Sequence, residues 1–485
     1  MPEMIVIGGG PAGVTAALRA RELGVEVTLL ERGRLGGTCT NDGCVPTRVL
    51  AHTARLLREA EQFKAYGLAG ETPRLDFASL MRRAASVVYT IHEKKQLIGH
   101  LQDAGVEVLS EVGEARFTDP HTILLPDGGS RQADTFIICA GGRARRLDFP
   151  GAGLAITHSD VWALRELPSS VVIAGAAATG CQLASIFNAF GVRVTLLDTA
   201  PHILRTEDEC VTNIVMEAFK GRGIQIISGI SGIKNIEAQD PDKLITYTKN
   251  GAEHTLKAGA VLLSTGWVGN LSGLDLPAAG VETAGPYIKV NDYLQTSAAH
   301  IFAAGDITGR MMLVQSAGSE ALAAAENAAL GPGQPQRHLI VPHGGFTDPE
   351  YGSVGLTEEQ ARQEGDIVVA EVSYDEMDRA VIDGHTQGLC KLIVSAEDHR
   401  ILGAHVVGEQ ALEIVHVAAA GMAAGMWVEQ LAELQIAYPT YTAIIGLAAR
   451  KIIRQLGVVP LAPEWRSLER RPSAEWEHST QTDVK

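Results

Sequence analysis

The sequence predicts an α/β protein of about three domains, two of them built on one repeated strand–turn–helix–strand unit. Its 485 residues set the domain number, at roughly 100–200 residues each. Glycine is over-represented, at 52 of 485 residues against a usual ~7 %, with no collagen-like period to absorb it. Tight turns and close backbone approaches are therefore numerous. Residues 4–31 and 171–198 align without a gap at an offset of 167 and share nine of 28 positions.

Each copy reads as an apolar strand, a glycine turn, a helix and a second apolar strand. Glu31 stands 23 residues after Gly8, and Asp198 stands at the same distance from Gly175. A lone GxGxxG occurs by chance, whereas one that follows a strand, opens a helix and is answered by an acid marks a dinucleotide-binding unit. Gly8 makes the turn, Gly10 lets backbone approach a pyrophosphate, and Gly13 lets the helix lie on the strand. The free N–H groups of the helix N-terminus favour phosphate. In the second copy Gly175 and Gly180 keep the outer positions, but the middle one is Ala177, whose Cβ crowds a pyrophosphate. Glu31 and Asp198 are expected to accept from ribose hydroxyls. A carboxylate at 198 repels a 2′-phosphate, so NADH is expected in preference to NADPH. Two dinucleotide sites on one chain point to electron transfer between two dinucleotides.

Charge and composition exclude other classes. The formal net charge is −16, which argues against a nucleic-acid partner, since phosphate binding wants a basic face. Six cysteines are too few for a secreted disulfide framework. The chain opens MPEMIVIGGG, with no basic segment of a signal peptide. Its longest mostly apolar run, 417–428, has twelve residues, short of the ~18–20 that span a bilayer. A cytoplasmic protein with no membrane partner is expected.

Residues 36–48 read GGTCTNDGCVPTR. Cys39 and Cys44 flank four residues, two of them turn formers, and Pro46 suits the first turn of a helix running through Arg48, Leu50, Ala54, Leu57 and Glu61. Cys44 then lies just before a helix N-terminus, whose dipole favours a thiolate. A small ring in a cytoplasmic protein reads as a redox disulfide rather than a staple. Unpaired thiols and half of a zinc site are the alternatives, the latter without a second paired cluster to complete it. Cys139, Cys181, Cys210 and Cys390 stand singly in apolar contexts and read as core.

Together with the N-terminal GGGPAG, this segment resembles the class I pyridine nucleotide–disulfide oxidoreductases, which include dihydrolipoamide dehydrogenase, glutathione reductase and mercuric reductase. Residues 138–142 (ICAGG) resemble the family's ATG-type strand end, and Thr265-Gly266-Trp267 the close of its nicotinamide domain. Residues 296–306 resemble the second FAD motif, and 346–350 with 354–358 the opening of the dimerisation domain. The resemblance covers residues 1 to about 450.

It implies two Rossmann-like dinucleotide-binding domains, one for FAD (1–150 and 283–340) and one for NAD(P) (151–282). A C-terminal α+β dimerisation domain (341–450) and a tail (451–485) follow, the tail reading as an interface strap with a disordered end. The working form is expected to be a homodimer. Around FAD the resemblance places Gly8, Gly10, Ala12, Gly13, Glu31 and Arg32, then Gly37, Thr38 and Arg48. Further along it adds Gly113, Ala115, Ala140 and Gly141, and finally Asp306, beside the ribityl chain, with Leu313 and Val314. Around the nicotinamide cofactor it places Gly175, Ala178, Thr179, Gly180, Gln182, Asp198 and Gly266. Electrons from reduced nicotinamide would reach the Cys39–Cys44 disulfide by way of the flavin. Cys44 would remain a thiolate beside the flavin, and Cys39 would become the attacking thiol.

The sequence also departs from the family. Where disulfide reductases carry a His-Pro-Thr-x-x-Glu segment that serves the partner subunit, this chain has Tyr438-Pro439-Thr440-Tyr441-Thr442-Ala443. A phenol with an ordinary pKa of ~10 is a poor proton acceptor, so the usual His–Glu acid/base pair is missing from this position. Mercuric reductases also lack that histidine, and the spacing from Tyr438-Pro439 to Gly446-Leu447 resembles theirs. A soft metal held by two thiolates needs no proton shuttle. However, no cysteine follows Cys390, where those enzymes carry a pair. Tyr438 and Tyr441 are candidate catalytic residues, with plain packing at the dimer interface as the alternative.

The family's lysine is Arg48 and its glutamate partner Gln182, so a cation is expected to face a neutral amide. Ala178 stands in place of an aromatic gate. Asp42 is either a proton acceptor in place of the missing histidine or a turn cap. His405 and His416 read as ordinary core or surface histidines. The expected function is an FAD-dependent oxidoreductase that passes electrons from NAD(P)H through the disulfide to a small-molecule or small-protein acceptor. A mercuric-like reductase and a low-turnover flavin redox sensor are the alternatives, and no resident metal is expected.

Overall fold

In the computed structural model, residues 3–336 and 340–458 are described. The expectation of a disordered tail end lies largely outside them. The helix Ala443–Gln455 runs five residues past the limit expected at 450.

The first glycine repeat lies in the middle of a five-stranded parallel sheet. Its order is Ile301–Ala303, Thr135–Ile138, Glu3–Ile7, Glu26–Leu30, Glu107–Leu109. The central strand EMIVI is buried after Glu3, as a strand covered on both faces must be. The helices Pro11–Glu22 and Val314–Leu330 pack together through Ala16, Ala17, Ala321 and Ala324, whose small side chains let the two axes approach. The second repeat builds a sheet of the same kind, in the order Gln225–Ile227, Arg193–Leu197, Ser170–Ala174, Ala260–Leu263, Ile156–Thr157.

The glycine geometry is the same in both copies. A Cβ on Gly13 would lie 1.7 Å from the carbonyl oxygen of Gly8, and one on Gly180 would lie 1.8 Å from that of Gly175. Helix and strand are in backbone contact at both places, so only glycine fits. Each sheet also carries a three-stranded antiparallel insert, Arg116–Asp119 with Thr122–Leu124 and Ser130–Gln132, and Gly232–Gln239 with Asp242–Lys249 and Ala252–Ala258.

Residues 343–407 form a five-stranded antiparallel sheet in the order His343–Gly345, Tyr351–Gly355, Ile401–Val407, Leu389–Ser395, Ile367–Ser373. The helices Ala411–Ala423 and Ala443–Gln455 close a core of Val372, Leu392, Val406, Ile414 and Ile445. Lys391, on the inner strand Leu389–Ser395, joins this sheet to the second Rossmann unit. It lies 3.0 Å from Asp208 and 2.8 Å from Glu358, and the Glu358 N–H donates to Asp208 at 2.8 Å. Among the described residues, no helix is long and apolar enough to cross a membrane.

Candidate active site

Gly36 and Gly37, both at positive φ, turn the chain after the first Rossmann unit into the short helix Gly37–Asn41. Asp42 and Gly43 break it, and Cys44 is the first residue of the helix Cys44–Glu59. The break brings the two sulfurs together: the Cys39 thiol is within hydrogen-bonding reach of Cys44. Donation from Cys39 lowers the Cys44 thiol to about 7, burial opposes this, and the N–H at the head of its helix helps. The same contact, with burial, pushes the Cys39 thiol up. The pair therefore loses one proton easily, from Cys44, and keeps the other on Cys39. This is the polarity expected from Cys44's place at a helix N-terminus. Both sulfurs are free thiols here. Cys139, Cys181, Cys210 and Cys390 are buried, as expected.

Both cysteines line a cavity of about 1460 Å³, larger than the roughly 300–1,000 Å³ of an ordinary small-molecule site. It runs from the first glycine loop, past the cysteine segment, to the second glycine loop and the edge of the antiparallel sheet. Gly8, Gly10, Ala12, Glu31, Arg32, Gly37 and Thr38 line it. So do Gly113, Ala115, Ala140, Gly141, Asp306, Leu313 and Val314, and from the second unit Ala178, Thr179, Gln182 and Gly266.

Several features fit a bound FAD. A Cβ on Gly10 would lie 3.6 Å from the Gly37 Cα, and one on Gly37 would lie 2.8 Å from the Gly10 Cα, so the two glycine loops meet backbone to backbone at the cavity wall. The Ser316 hydroxyl lies at the cavity wall, buried and without a partner among the described residues. Burial, with the charge of Glu320, lifts the Asp306 carboxyl to about 6, which suits it to hydrogen-bonding with hydroxyl groups.

Other expected residues lie elsewhere. Gly13, Gly175 and Gly180 are in the helix–strand contacts just described. Glu31 accepts the N–H groups of Gly9 at 2.6 Å and Gly33 at 2.8 Å, and Asp198 accepts those of Ala176 at 2.5 Å and Ala200 at 2.7 Å. Both acids hold the glycine loops in shape, and only Glu31 reaches the cavity wall. The expectation that Arg48 faces Gln182 is corrected. Gln182 accepts from the Phe346 N–H at 3.2 Å, while Arg48 lies over the Phe346 ring and 3.7 Å from Glu350, outside the cavity lining.

The two tyrosines differ. Tyr441 is buried, its hydroxyl donating to Asp383 at 3.0 Å, and burial with this contact pushes its pKa up. Tyr438 is half exposed and donates to Asp378 at 2.6 Å. Neither lines the cavity of its own chain.

His158, Trp162 and Trp267 line the cavity and were not singled out as site residues from the sequence. The Trp162 Nε1–H donates to the carbonyl of Asp42 at 2.7 Å, and His158 packs on Trp267 with ring centroids 4.3 Å apart. The one local signal was Thr157-x-x-Asp160, a capping box that starts the short helix His158–Ala163.

Two dinucleotide-binding sheets meeting at one cavity, with a polarised cysteine pair in its wall, define a nucleotide-dependent dithiol–disulfide oxidoreductase. Residues 2–321 match the pyridine nucleotide-disulphide oxidoreductase family and 341–449 its dimerisation domain. The chain belongs to that family, a family of flavoproteins that use FAD and NAD(H). Among curated relatives it is 33 % identical to dihydrolipoyl dehydrogenase of Geobacillus stearothermophilus, over 92 % of this chain and 95 % of that one. It is 31 % identical to mercuric reductase of Staphylococcus aureus, over 92 % and 82 %. Among solved structures it is similar to the HOCl-induced flavoprotein disulfide reductase RclA from Escherichia coli. That match has a TM-score of 0.82 and 25 % identity, and covers 92 % of this chain and 99 % of that one.

Proposed function

We propose that this chain, as a homodimer, takes electrons from NADH, in preference to NADPH, into the Cys39–Cys44 pair. It then delivers them to a small disulfide-type acceptor without the usual His–Glu acid/base pair. One observation carries this: Cys39 and Cys44, within hydrogen-bonding reach of each other, line one cavity together with both dinucleotide-binding units. A bound flavin would supply the relay that turns a hydride into two electrons for the sulfurs. Gly8, Gly10, Gly37, Gly141 and Asp306 would hold it, and Ala178, Thr179 and Gly266 would face the nicotinamide. Tyr438, half exposed, rather than the buried Tyr441, is the residue of its segment that would present a hydroxyl to a partner subunit.

A soft-metal reductase is the second reading, supported by the relatives named mercuric reductase and by a pair of thiols that needs no base to bind a soft ion.

The test is anaerobic NADH titration followed by turnover of lipoamide, an oxidised thiol dimer and mercuric ion in one assay. Full reduction with a long-wavelength thiolate–flavin band, lost in Cys44→Ser, is expected, with disulfide turnover exceeding that of mercuric ion. Sluggish reduction would instead indicate a redox sensor. Tyr438→His combined with Ala443→Glu should raise lipoamide turnover. An unmodified protein that already matches the double variant would overturn the missing-base argument.

A further inference from the structure

Two helices start at the cavity and run away from it side by side. Cys44–Glu59 begins at the cysteine pair, and Ala178–Ala189 begins at the second glycine loop, with Ala178, Thr179 and Gln182 in the cavity lining. They lie more than a hundred residues apart in the chain, so no short covalent link sets their spacing. Leu50 and Ala54 of the first share one apolar core with Leu183 and Phe187 of the second. Apolar burial is non-directional. It holds the two helices together without choosing their register.

A directional contact lies in the last turn of the first helix. Arg58 Nη2 donates to the Ser185 carbonyl at 2.8 Å, and Nη1 donates to the Ser185 hydroxyl at 3.2 Å. On its other side Arg58 Nε lies 3.0 Å from Asp348 Oδ2, between the first two strands of the antiparallel sheet. The same oxygen lies 3.3 Å from Arg222 Nη2, and Arg222 Nη1 lies 2.7 Å from Glu61 Oε2. Glu61 follows Arg58 by three residues, so the chain itself closes the ring. Arg58 and Glu61 come from the cysteine helix and its end, Arg222 from the second Rossmann unit, and Asp348 from the antiparallel sheet. Three parts of the fold meet at one guanidinium.

Arg58 is the member withdrawn from water, its side chain 12 % exposed. Burial lowers its pKa, against Asp348 and Glu61, which raise it. A buried charge is no cheap source of stability, since a well-packed apolar side chain of similar volume often serves as well. A planar fork with donors on two sides does something else: it fixes distance and angle between its partners together.

We propose that Arg58 is a positioning residue that registers the cysteine helix against the second glycine helix. It thereby sets the gap across which a nicotinamide held by Ala178 and Thr179 reaches the flavin site beside Cys44. This rests on the reading of the cavity given under Proposed function. Arg58 itself lies outside the cavity lining and acts through the placement of the two helices. Arg48 and Arg55 tie the same cysteine helix to Glu350 and Glu409. Of these three arginines, Arg58 alone bonds to the second unit among the described residues.

The experiment uses the flavin-loaded full chain carrying Arg58→Met, Arg58→Lys or Ser185→Ala. Anaerobic stopped-flow compares flavin reduction by saturating NADH, which needs the second unit, with reduction by dithionite, which does not. Arg58→Met should slow the NADH step about tenfold or more, within the ~10²-fold that a 1 Å misplacement remote from the chemistry costs. The dithionite step and the unfolding midpoint should stay those of the parent protein. Arg58→Lys, with charge but no fork, should recover only part of the loss, and Ser185→Ala should show a smaller loss of the same kind. Amide hydrogen exchange reads the register without nicotinamide, and both helices should lose protection in Arg58→Met. An unchanged NADH step, equal losses with both reductants, or unchanged exchange would overturn the positioning role. If Arg58→Met unfolds early, Ser185→Ala decides: a loss confined to NADH upholds the role, and no such loss overturns it. A parent protein that NADH does not reduce would sink the function proposed above, and hydrogen exchange would still decide whether Arg58 registers the helices.

Discussion

Arg48 Nη1 stands 3.7 Å from Glu350 Oε2, and its guanidinium lies 4.3 Å from the centroid of the Phe346 ring. The contact ties the helix that begins at Cys44 to the antiparallel sheet. Burial pushes the Glu350 carboxyl up to about 7, against the Leu412 N–H, which lowers it, and with Glu413, which raises it further.

That raised carboxyl gives stability a pH slope. Between its ordinary value near 4.5 and about 7, folded Glu350 holds a proton that the unfolded chain has lost. Stability therefore declines as pH rises through that window. Glu350→Gln should flatten this slope and stabilise the protein at about pH 8 by on the order of 1–3 kcal/mol. Thermal unfolding across the window is the check, and an unchanged slope would refute the assignment.

The proton on Cys39 is the largest cause of the low Cys44 pKa. Cys39→Ala should raise the pH of half-maximal Cys44 alkylation from about 7 toward the ordinary ~8.5. Cys39→Ser keeps a hydroxyl donor and should shift it less. The pH dependence of iodoacetamide labelling distinguishes the two variants, and equal values for both would mean that the helix N-terminus alone sets the thiolate.

Two glycine substitutions separate fold from cofactor cradle. Gly13→Ala drives a Cβ into the Gly8 carbonyl and should destabilise by at least the ~1–3 kcal/mol of overpacking. Gly10→Ala meets nothing closer than 3.6 Å and should fold normally, yet it adds a methyl beside Gly37 at the cavity wall. Flavin absorbance per chain should fall in Gly10→Ala with the unfolding midpoint of the apoprotein unchanged. Normal flavin content in this variant would place the pyrophosphate elsewhere.

Lys391 is 6 % exposed and shared by Asp208, Glu358 and Glu371. Burial alone would raise the Asp208 carboxyl, but the Glu358 N–H, His405, the Cys210 N–H and Lys391 hold it well below the usual range. Its contribution is therefore present above about pH 4 and lost as pH falls further. Lys391→Met should cost about 3–5 kcal/mol by leaving acids buried without their cation. Urea unfolding measures it, and a loss below 1 kcal/mol would make the cluster energetically idle.

The sequence by itself determined the two Rossmann units, their acids and the reactive cysteine pair. Each is encoded within about thirty consecutive residues by strand periodicity, glycine placement and a carboxylate at fixed distance. The Asn250-Gly251 turn of the second antiparallel insert was equally local and could have been read. Only the tertiary structure decided who partners whom. Arg48 meets Glu350 rather than Gln182, Tyr441 turns inward to Asp383, and His158 arrives beside Asp42 from more than a hundred residues away. Such choices depend on how separately folded sheets pack, where burial and a few ångströms of approach outweigh any preference written in neighbouring residues.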